Sequence, residues 1–185
     1  MNCPNCGAPM RPHGDTLVCD YCKNVVTAEK NDDGITLLGE ARDQACPLCN
    51  LPLQQATLAK VPLLYCSKCQ GMLASMEIFA DLIDAARARH PGTIAEPPID
   101  PADLNRHIGC PKCHRPMDTH TYCGPGNVVM DTCENCQLNW LDRGELARIA
   151  QAPNDAPNDR ADDCASGFAD DFDSRFMKSP YNSPF

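Results

Sequence analysis

The sequence predicts a small metal-stabilised α+β fold, in which three short antiparallel hairpins each hold one metal ion. Three observations predict it. The chain has 185 residues and 14 cysteines, and twelve of these cysteines form six C-x-x-C pairs in order along the chain. Aromatic residues make up only 5% of the chain, which is too little for small modules to fold on apolar cores alone. Helical apolar spacing follows the second and third groups of cysteines, which predicts a helix after each of these hairpins.

The twelve paired cysteines form three sets of four. The first set is Cys3, Cys6, Cys19 and Cys22, the second is Cys46, Cys49, Cys66 and Cys69, and the third is Cys110, Cys113, Cys133 and Cys136. A C-x-x-C pair lets a tight turn aim two sulfur atoms at one ion, and the second pair of each set completes a tetrahedron. Each set therefore predicts one closed structural site, and together they predict three Zn²⁺ ions. Four thiolates at this spacing also bind iron, as in rubredoxin-like sites, so iron stays an alternative.

The net charge and the composition of the N-terminus indicate the class of binding partner and the cellular compartment. The formal charge is −9, and no segment carries a cluster of Lys and Arg. Nucleic-acid binding depends on such clusters, so the charge favours another protein as the partner. The N-terminus lacks the basic and apolar regions of a signal peptide, and no apolar run reaches the roughly 18 residues of a membrane span. We therefore expect a cytoplasmic location, where metal sites are favoured over disulfides.

Residues 1–30 are predicted to form the first and smallest ribbon. Gly7 follows the second cysteine and can supply a positive φ angle there. His13 lies between the cysteine pairs, but four thiolates already fill the coordination shell, so we interpret it as a loop residue. Residues 31–45 are predicted to be a connector. Within it, residues 35–38 form either a strand that packs the first ribbon on the second or an apolar patch in a tether.

Residues 46–90 are predicted to form the second ribbon and a helix. The hairpin arms are expected over residues 53–58 and 61–65. Ser75 can cap a helix with one apolar face that runs to the end of this segment. Four prolines in the next segment block regular structure and predict a linker over residues 91–106.

Residues 107–152 are predicted to form the third ribbon and a second helix. A hairpin with a Gly- and Pro-rich turn is expected between its cysteine pairs. Asp142 and Glu145 have the spacing of a capping box, which predicts Asp142 as the N-cap of the helix. Trp140 precedes this cap. It either packs between the metal site and the helix or forms an exposed contact for a partner.

Residues 153–185 have the composition of an acidic, disordered tail. Phe168, Phe172 and Phe176 recur at every fourth position, so on a helix the three rings would share one face. Together with Trp140, they are the candidate partner-binding residues. The alternative is a tail with incidental aromatic residues.

Two segments of the chain carry a family resemblance. They are Cys110-Pro111-Lys112-Cys113 and the run that begins with Cys133-Glu134-Asn135-Cys136 and continues to Trp140-Leu141-Asp142-Arg143-Gly144-Glu145-Leu146. In these segments the third ribbon closely resembles the transcription factor IIB-type zinc-ribbon (zf-TFIIB) family. That family usually has two glycines after the last cysteine, where this chain has Gln137 and Leu138.

The second ribbon resembles a degenerate copy of the third, with Leu73 at the tryptophan position. The resemblance implies zinc and a ribbon fold, and it favours zinc over iron. The family name suggests transcription, but a ribbon is a scaffold that does not fix a function.

The sequence favours a zinc-binding, non-catalytic protein-interaction adaptor. Four protein ligands leave no open coordination position, and the chain has no recognisable nucleophile–base pair or phosphate loop, so we expect no enzymatic activity. Neither a membrane nor a small-molecule substrate is expected as a partner.

Two alternative functions remain. The first is binding of nucleic acid or of the transcription machinery, for which the candidate basic residues are Lys60, Lys68, Arg87 and Arg89. The second is a redox sensor based on thiols and zinc, in which Cys123 and Cys164, the two cysteines outside the three sets, take part.

Overall fold

The computed structural model describes residues 2–28, 30–31 and 33–153. The chain divides into two compact units, Met1–Asn154 and Asp155–Phe185, and every described residue lies in the first unit. The candidate partner contacts Phe168, Phe172 and Phe176 lie outside the described residues. No helix in the described part of the chain is long and apolar enough to cross a bilayer.

The described residues form ten strands and two α-helices. The strands are β1 (Met10–His13), β2 (Thr16–Cys19), β3 (Val25–Thr27), β4 (Ile35–Ala45), β5 (Pro52–Leu58), β6 (Val61–Tyr65), β7 (Met72–Ser75), β8 (Asp118–Thr121), β9 (Val129–Cys133) and β10 (Leu138–Leu141), and the helices are α1 (Phe79–Arg89) and α2 (Glu145–Gln151). With three four-cysteine groups, antiparallel sheets and two helices, this is the small zinc-stabilised α+β fold that the sequence predicts.

The first ribbon is a three-stranded antiparallel sheet in the order β1-β2-β3. Alternate side chains of β2 point inward, so Leu17 and Cys19 are buried. Leu38 of β4 packs in the same cluster, although β4 belongs to the other sheet. Thr57 Oγ1 donates a hydrogen bond of 2.9 Å to Asp15 Oδ1, which forms a second link between the sheets. The segment 35–38 is therefore a strand that packs against the first ribbon.

The second and third ribbons share one seven-stranded antiparallel sheet, in the order β4-β5-β6-β7-β10-β9-β8. The pairing of β7 with β10 joins the two ribbons and places Leu73 opposite Trp140. The Pro-rich segment between the ribbons contains only a short 3₁₀ turn, Asp103–Asn105. The sequence left open whether the ribbons pack together, and in the structure these two are halves of one sheet.

The two faces of this sheet carry different elements. Because successive side chains of a strand point to opposite faces, Leu141 faces the two helices whereas Trp140 faces the cysteine groups. We call these faces the helix side and the metal side. On the helix side, the rings of Phe79 and Tyr122 meet edge to face with centroids 5.9 Å apart, which ties α1 to the third ribbon.

An approximate two-fold axis relates the halves of the sheet and passes between Leu73 and Trp140. Each of these residues lies four positions after the last cysteine of its set, and they face each other across the β7–β10 pair. Outward from this pair the strand order is β6 then β5 on one side and β9 then β8 on the other. The second ribbon is therefore a structural copy of the third.

Candidate metal centres

Each set of four cysteines comes together in the structure. In all three sets the four sulfur atoms lie within 4.8 Å of one another. The Sγ···Sγ distance is 3.5 Å between Cys3 and Cys22, 3.5 Å between Cys46 and Cys69, and 3.7 Å between Cys113 and Cys133. A tetrahedral zinc with Zn–S bonds of about 2.3 Å requires sulfur atoms about 3.8 Å apart. The three groups therefore have the size and the donor atoms of closed four-thiolate zinc sites.

The backbone around the cysteine pairs follows a repeated turn. In five of the six pairs, the N–H four residues after the first cysteine donates to that cysteine's carbonyl at 2.8–2.9 Å. The donor residues all have positive φ angles, and so does the equivalent residue of the sixth pair; they are Gly7, Lys23, Asn50, Gln70, His114 and Gln137. Gln137 stands where the zinc-ribbon family usually has glycine, and it takes the left-handed conformation that glycine favours. Gln137 therefore keeps the positive φ angle of this position, but its N–H donates to the carbonyl of Glu134 at 3.4 Å and not to that of Cys133.

The thiols of one set cannot all ionise without a cation. In the third set, the backbone N–H of Arg115 lowers the pKa of Cys113 to about 7. Burial and the thiols of Cys110 and Cys113 raise the pKa of Cys133 to about 12. These shifts oppose each other because neighbouring thiolates repel, and a bound divalent cation removes that repulsion. The donor set thus fits Zn²⁺, which would be held by all four sulfur atoms of each set and would stabilise the ribbon around it.

Trp140 is fully buried and is not a surface for a partner. Its ring packs in one cluster with cysteines of the second and third sets and lies directly over Gly71. Its Nε1–H donates to Asp142 Oδ1 at 3.0 Å. The indole is part of the core between two metal sites because β7 and β10 pair at this point. Of the two interpretations of Trp140, the structure favours burial over exposure, but the indole packs between two metal sites, and the helices lie on the opposite face of the sheet.

A buried ion-pair network lies beside the third set, and sequence reasoning missed it. The carboxylate of Asp131 is fully buried on β9 and pairs with the guanidinium of Arg106, which also pairs with Asp142. Thr119 Oγ1 donates to Asp131 Oδ1 and lies 3.1 Å from the carbonyl oxygen of Arg106. The one sequence signal was an aspartate within an otherwise uncharged strand. The network fixes the end of the Pro-rich segment to the metal side of the sheet.

The helix start differs from the predicted capping box. Gly144, with a φ of 81°, is the N-cap of α2, and no side chain caps this helix. Only one of the two hydrogen bonds of a capping box forms, and it is the bond that Asp142 N–H donates to Glu145 Oε2 at 2.6 Å. The carboxylate of Asp142 is instead engaged by Trp140 and Arg106. Burial of the Glu145 side chain raises its pKa to about 7.

The remaining predicted residues lie apart from these centres. His13 is exposed, and it joins none of the three four-cysteine groups that the described residues form. Cys123 is exposed between β8 and β9, and Cys164 lies outside the described residues. Two of the four basic candidates, Lys60 and Arg89, lie on opposite sides of the large sheet. Lys60 lines a groove on the metal side, whereas Arg89 lines a cavity on the helix side.

The fold and its three four-cysteine groups define a protein built from zinc ribbons. Residues 109–152 match the TFIIB-type zinc-ribbon family model, which is described as a transcription factor zinc-finger. The match covers the third ribbon and α2, and it confirms the resemblance that the cysteine and Trp140–Leu146 motifs indicate. No curated protein and no solved structure gave a significant match to the chain.

Proposed function

We propose that this protein is a non-catalytic adaptor that uses three zinc ribbons as a rigid platform for binding another protein. The main observation behind this proposal is that each metal site is fully coordinated by cysteines. Each has four cysteine donors within 4.8 Å of one another. A zinc ion held in this way has no position for water or substrate, which is the arrangement of structural zinc. The net charge of −9 supports a protein partner over nucleic acid.

A second candidate function is binding to nucleic acid or to the transcription machinery. The family description of residues 109–152 favours it. It would need basic side chains on one face, and Lys60 and Arg89 lie on opposite sides of the large sheet. We therefore rank it second.

Native mass spectrometry and elemental analysis of the protein purified from its own host distinguish these functions. The adaptor function predicts three zinc ions per chain and a stoichiometric protein partner that survives nuclease treatment. Nuclease-sensitive association, or a nucleic acid retained in place of a protein, would contradict it. Iron in any site would show that the site is not the zinc centre described above.

A further inference from the structure

The eight cysteines of the second and third sets lie in one apolar cluster on the metal side of the large sheet. Four of them are buried in this cluster, and the other four pack against it. Trp140 belongs to the same cluster and is fully buried. Cys3 and Cys19 of the first set belong to a different cluster, together with Leu17. Two of the three metal sites therefore share a core, and the first has its own.

The third ribbon contacts a metal-binding turn of the second set through Trp140. The N–H of Cys66 donates to the carbonyl of Gly71 at 2.9 Å, so Gly71 closes the turn that carries Cys66 and Cys69. A Cβ atom at Gly71 would lie 2.2 Å from Cζ2 of Trp140, so the indole lies directly against this turn. Folding of the third ribbon places Trp140 and therefore supports two ligands of the second site.

The second ribbon contacts the corresponding turn of the third set through its backbone. Gln137 has a positive φ angle and follows Cys136 directly. Its carbonyl oxygen accepts a hydrogen bond of 3.0 Å from the N–H of Met76, the residue after β7. The link is thus reciprocal, because each ribbon supplies a group that holds a metal-binding turn of the other.

The first ribbon meets the large sheet away from the metal-binding turns. Its two contacts described above are made with Leu38 of β4 and Thr57 of β5. Both residues lie within strands, and neither belongs to a C-x-x-C turn. Loss of zinc from the first set would therefore leave the turns of the other two sets in place.

The shared core makes zinc binding at one of its two sites depend on the other site. A structural zinc site is rarely preformed in the apo chain, so the first ion to bind must also order the residues around it. An ion in the second set orders Gly71 and β7, which form the surface on which Trp140 and β10 pack. The next ion then binds a partly ordered third ribbon at a smaller ordering cost, which is positive cooperativity.

We propose that the second and third sets bind zinc cooperatively as one pair, whereas the first set binds it independently. The large sheet then has mainly two states, one with both ions and one with neither, and it passes between them over a narrow range of free zinc. This inference goes beyond the adaptor function, because it holds for any partner of the ribbons. Its failure would leave the adaptor function standing, since that function needs the sites and not their coupling.

Pulsed alkylation of the reduced full chain at graded free zinc measures the coupling. N-ethylmaleimide labels cysteines that hold no metal, and peptide mass spectrometry assigns each label to its set. Cys46→Ser with Cys49→Ser disables the second set, and Cys3→Ser with Cys6→Ser disables the first as a matched control. We expect loss of the second set to raise the free zinc at which the third set fills by about tenfold or more, and loss of the first set to change it by less than about twofold.

The reciprocal variant, Cys110→Ser with Cys113→Ser, disables the third set. Because coupling between two binding sites is mutual, it should raise the free zinc at which the second set fills by a similar factor. A third set that fills at the same free zinc with and without the cysteines of the second set would overturn the proposal. So would a first-set variant that weakens the third set as much as the second-set variant does, because the coupling would not be confined to the pair.

The distribution of ions among molecules gives a second, independent test. In the variant Cys3→Ser with Cys6→Ser, intact mass after the pulse counts the protected thiols of the two remaining sets. A cooperative pair gives molecules with eight protected thiols or none, and few with four. Independent sites would leave about half or more of the molecules with four protected thiols at the midpoint, and that result would contradict the pairing.

Trp140→Phe tests the contact with Gly71, because the smaller ring leaves a gap over the turn of the second set. We expect the coupling factor, measured with and without the cysteines of the second set, to fall by about threefold or more. Leu17→Ala is the control, because Leu17 is buried in the cluster of the first ribbon and should shift only the first set. Protection of the second and third sets at high zinc shows that Trp140→Phe folds. An unchanged coupling factor in that folded variant would overturn the Trp140–Gly71 contact as the link.

Discussion

Asp131 is a buried carboxylate that forms an ion pair with one arginine, Arg106. It has no exposed surface, and its guanidinium partner comes from the segment that precedes the third ribbon. Removing one member of a buried pair leaves the other charge uncompensated, which costs more than the pair itself contributes. Arg106 therefore stabilises the fold mainly by compensating the charge of the buried Asp131 carboxylate.

Arg106→Met is expected to reduce the free energy of unfolding by about 3–5 kcal/mol, because Asp131 is left buried and unpaired. The double variant Arg106→Met with Asp131→Asn should recover most of that loss, since an amide needs no counter-charge. Chemical denaturation at saturating zinc measures both, with exposed Arg115→Met as the control. A double variant as unstable as the single one would mean that Arg106 acts through packing alone.

Glu145 makes stability depend on pH. Burial raises its pKa to about 7 from an ordinary value of 4.5, so the folded state holds its proton more tightly than the unfolded state. The resulting stabilisation is complete below about pH 4.5 and is lost as the pH rises through about 7. The charged form is partly compensated by Arg148, whose Nη2 lies 3.5 Å from Glu145 Oε1.

Glu145→Gln is uncharged at every pH and keeps an acceptor for Asp142 N–H. We expect this variant to be more stable than the wild type by about 1–3 kcal/mol at about pH 8, with the difference shrinking towards pH 6. Denaturation at matched pH values cancels the pH dependence of zinc affinity. Exposed Glu77→Gln is the control, and a constant difference across the range would show that Glu145 does not titrate there.

At the residue scale, the sequence predicted the ligands but not the groups around them. C-x-x-C spacing is local, so the twelve cysteines could be assigned without knowing the fold. Arg106 and Asp131 meet only because β9 and the preceding segment come together in three dimensions, and no spacing rule connects them. The Asp142–Glu145 pair was recognised, but Asp142 is engaged by Arg106 and Trp140, which the sequence could not reveal.

At the scale of elements, the contact between β7 and β10 depends on the absence of a side chain at Gly71. A Cβ atom built there would lie 2.2 Å from Cζ2 of Trp140. The tryptophan cannot move away easily because it is fully buried between two metal sites. The position therefore requires glycine for close packing.

Gly71→Ala is expected to cost about 1–3 kcal/mol, since overpacking of a filled core forces side chains and backbone to shift. Trp140 is the only tryptophan of the chain, so its fluorescence reports the change directly. Gly109→Ala is a matched control, because a Cβ there would meet nothing closer than 3.8 Å. Equal stability and equal emission of the two variants would contradict the close approach.

The elements were predicted well where the pattern is local. The expected arms 53–58 and 61–65 correspond to β5 and β6. The helix expected from Ser75 instead begins as a 3₁₀ turn, Met76–Ile78, and Ser75 makes no capping hydrogen bond. β7 and β10 were not expected to pair, because each is four residues long and their pairing is set by packing that has no local signal.

At the scale of the molecule, the three zinc sites differ in how much of the fold is expected to unfold when the zinc ion is lost. The first ribbon has its own sheet, whereas the second and third ribbons share one. Loss of a structural zinc removes on the order of 10 kcal/mol from the module that it holds. Because β7 pairs with β10, unfolding of the third ribbon is expected to destabilise the second ribbon as well.

Hydrogen exchange of two serine variants tests this asymmetry. We expect Cys113→Ser to remove protection from β7 as well as from β8, β9 and β10, while β1–β3 stay protected. Cys6→Ser should expose β1–β3 and leave the large sheet nearly intact. Independent unfolding of the second and third ribbons would contradict the shared core.

The family model matches residues 109–152, although the two-fold axis between Leu73 and Trp140 relates this unit to a second one of the same strand order. At the positions of Asp131, Trp140, Asp142 and Arg106, the second unit carries Leu64, Leu73, Ser75 and Arg42. Four cysteines at matching positions are thus common to two units that differ at three of these four places. The backbone of the ribbon tolerates this exchange of its buried and ion-paired side chains, so a sequence motif built on them identifies one unit and passes over the other.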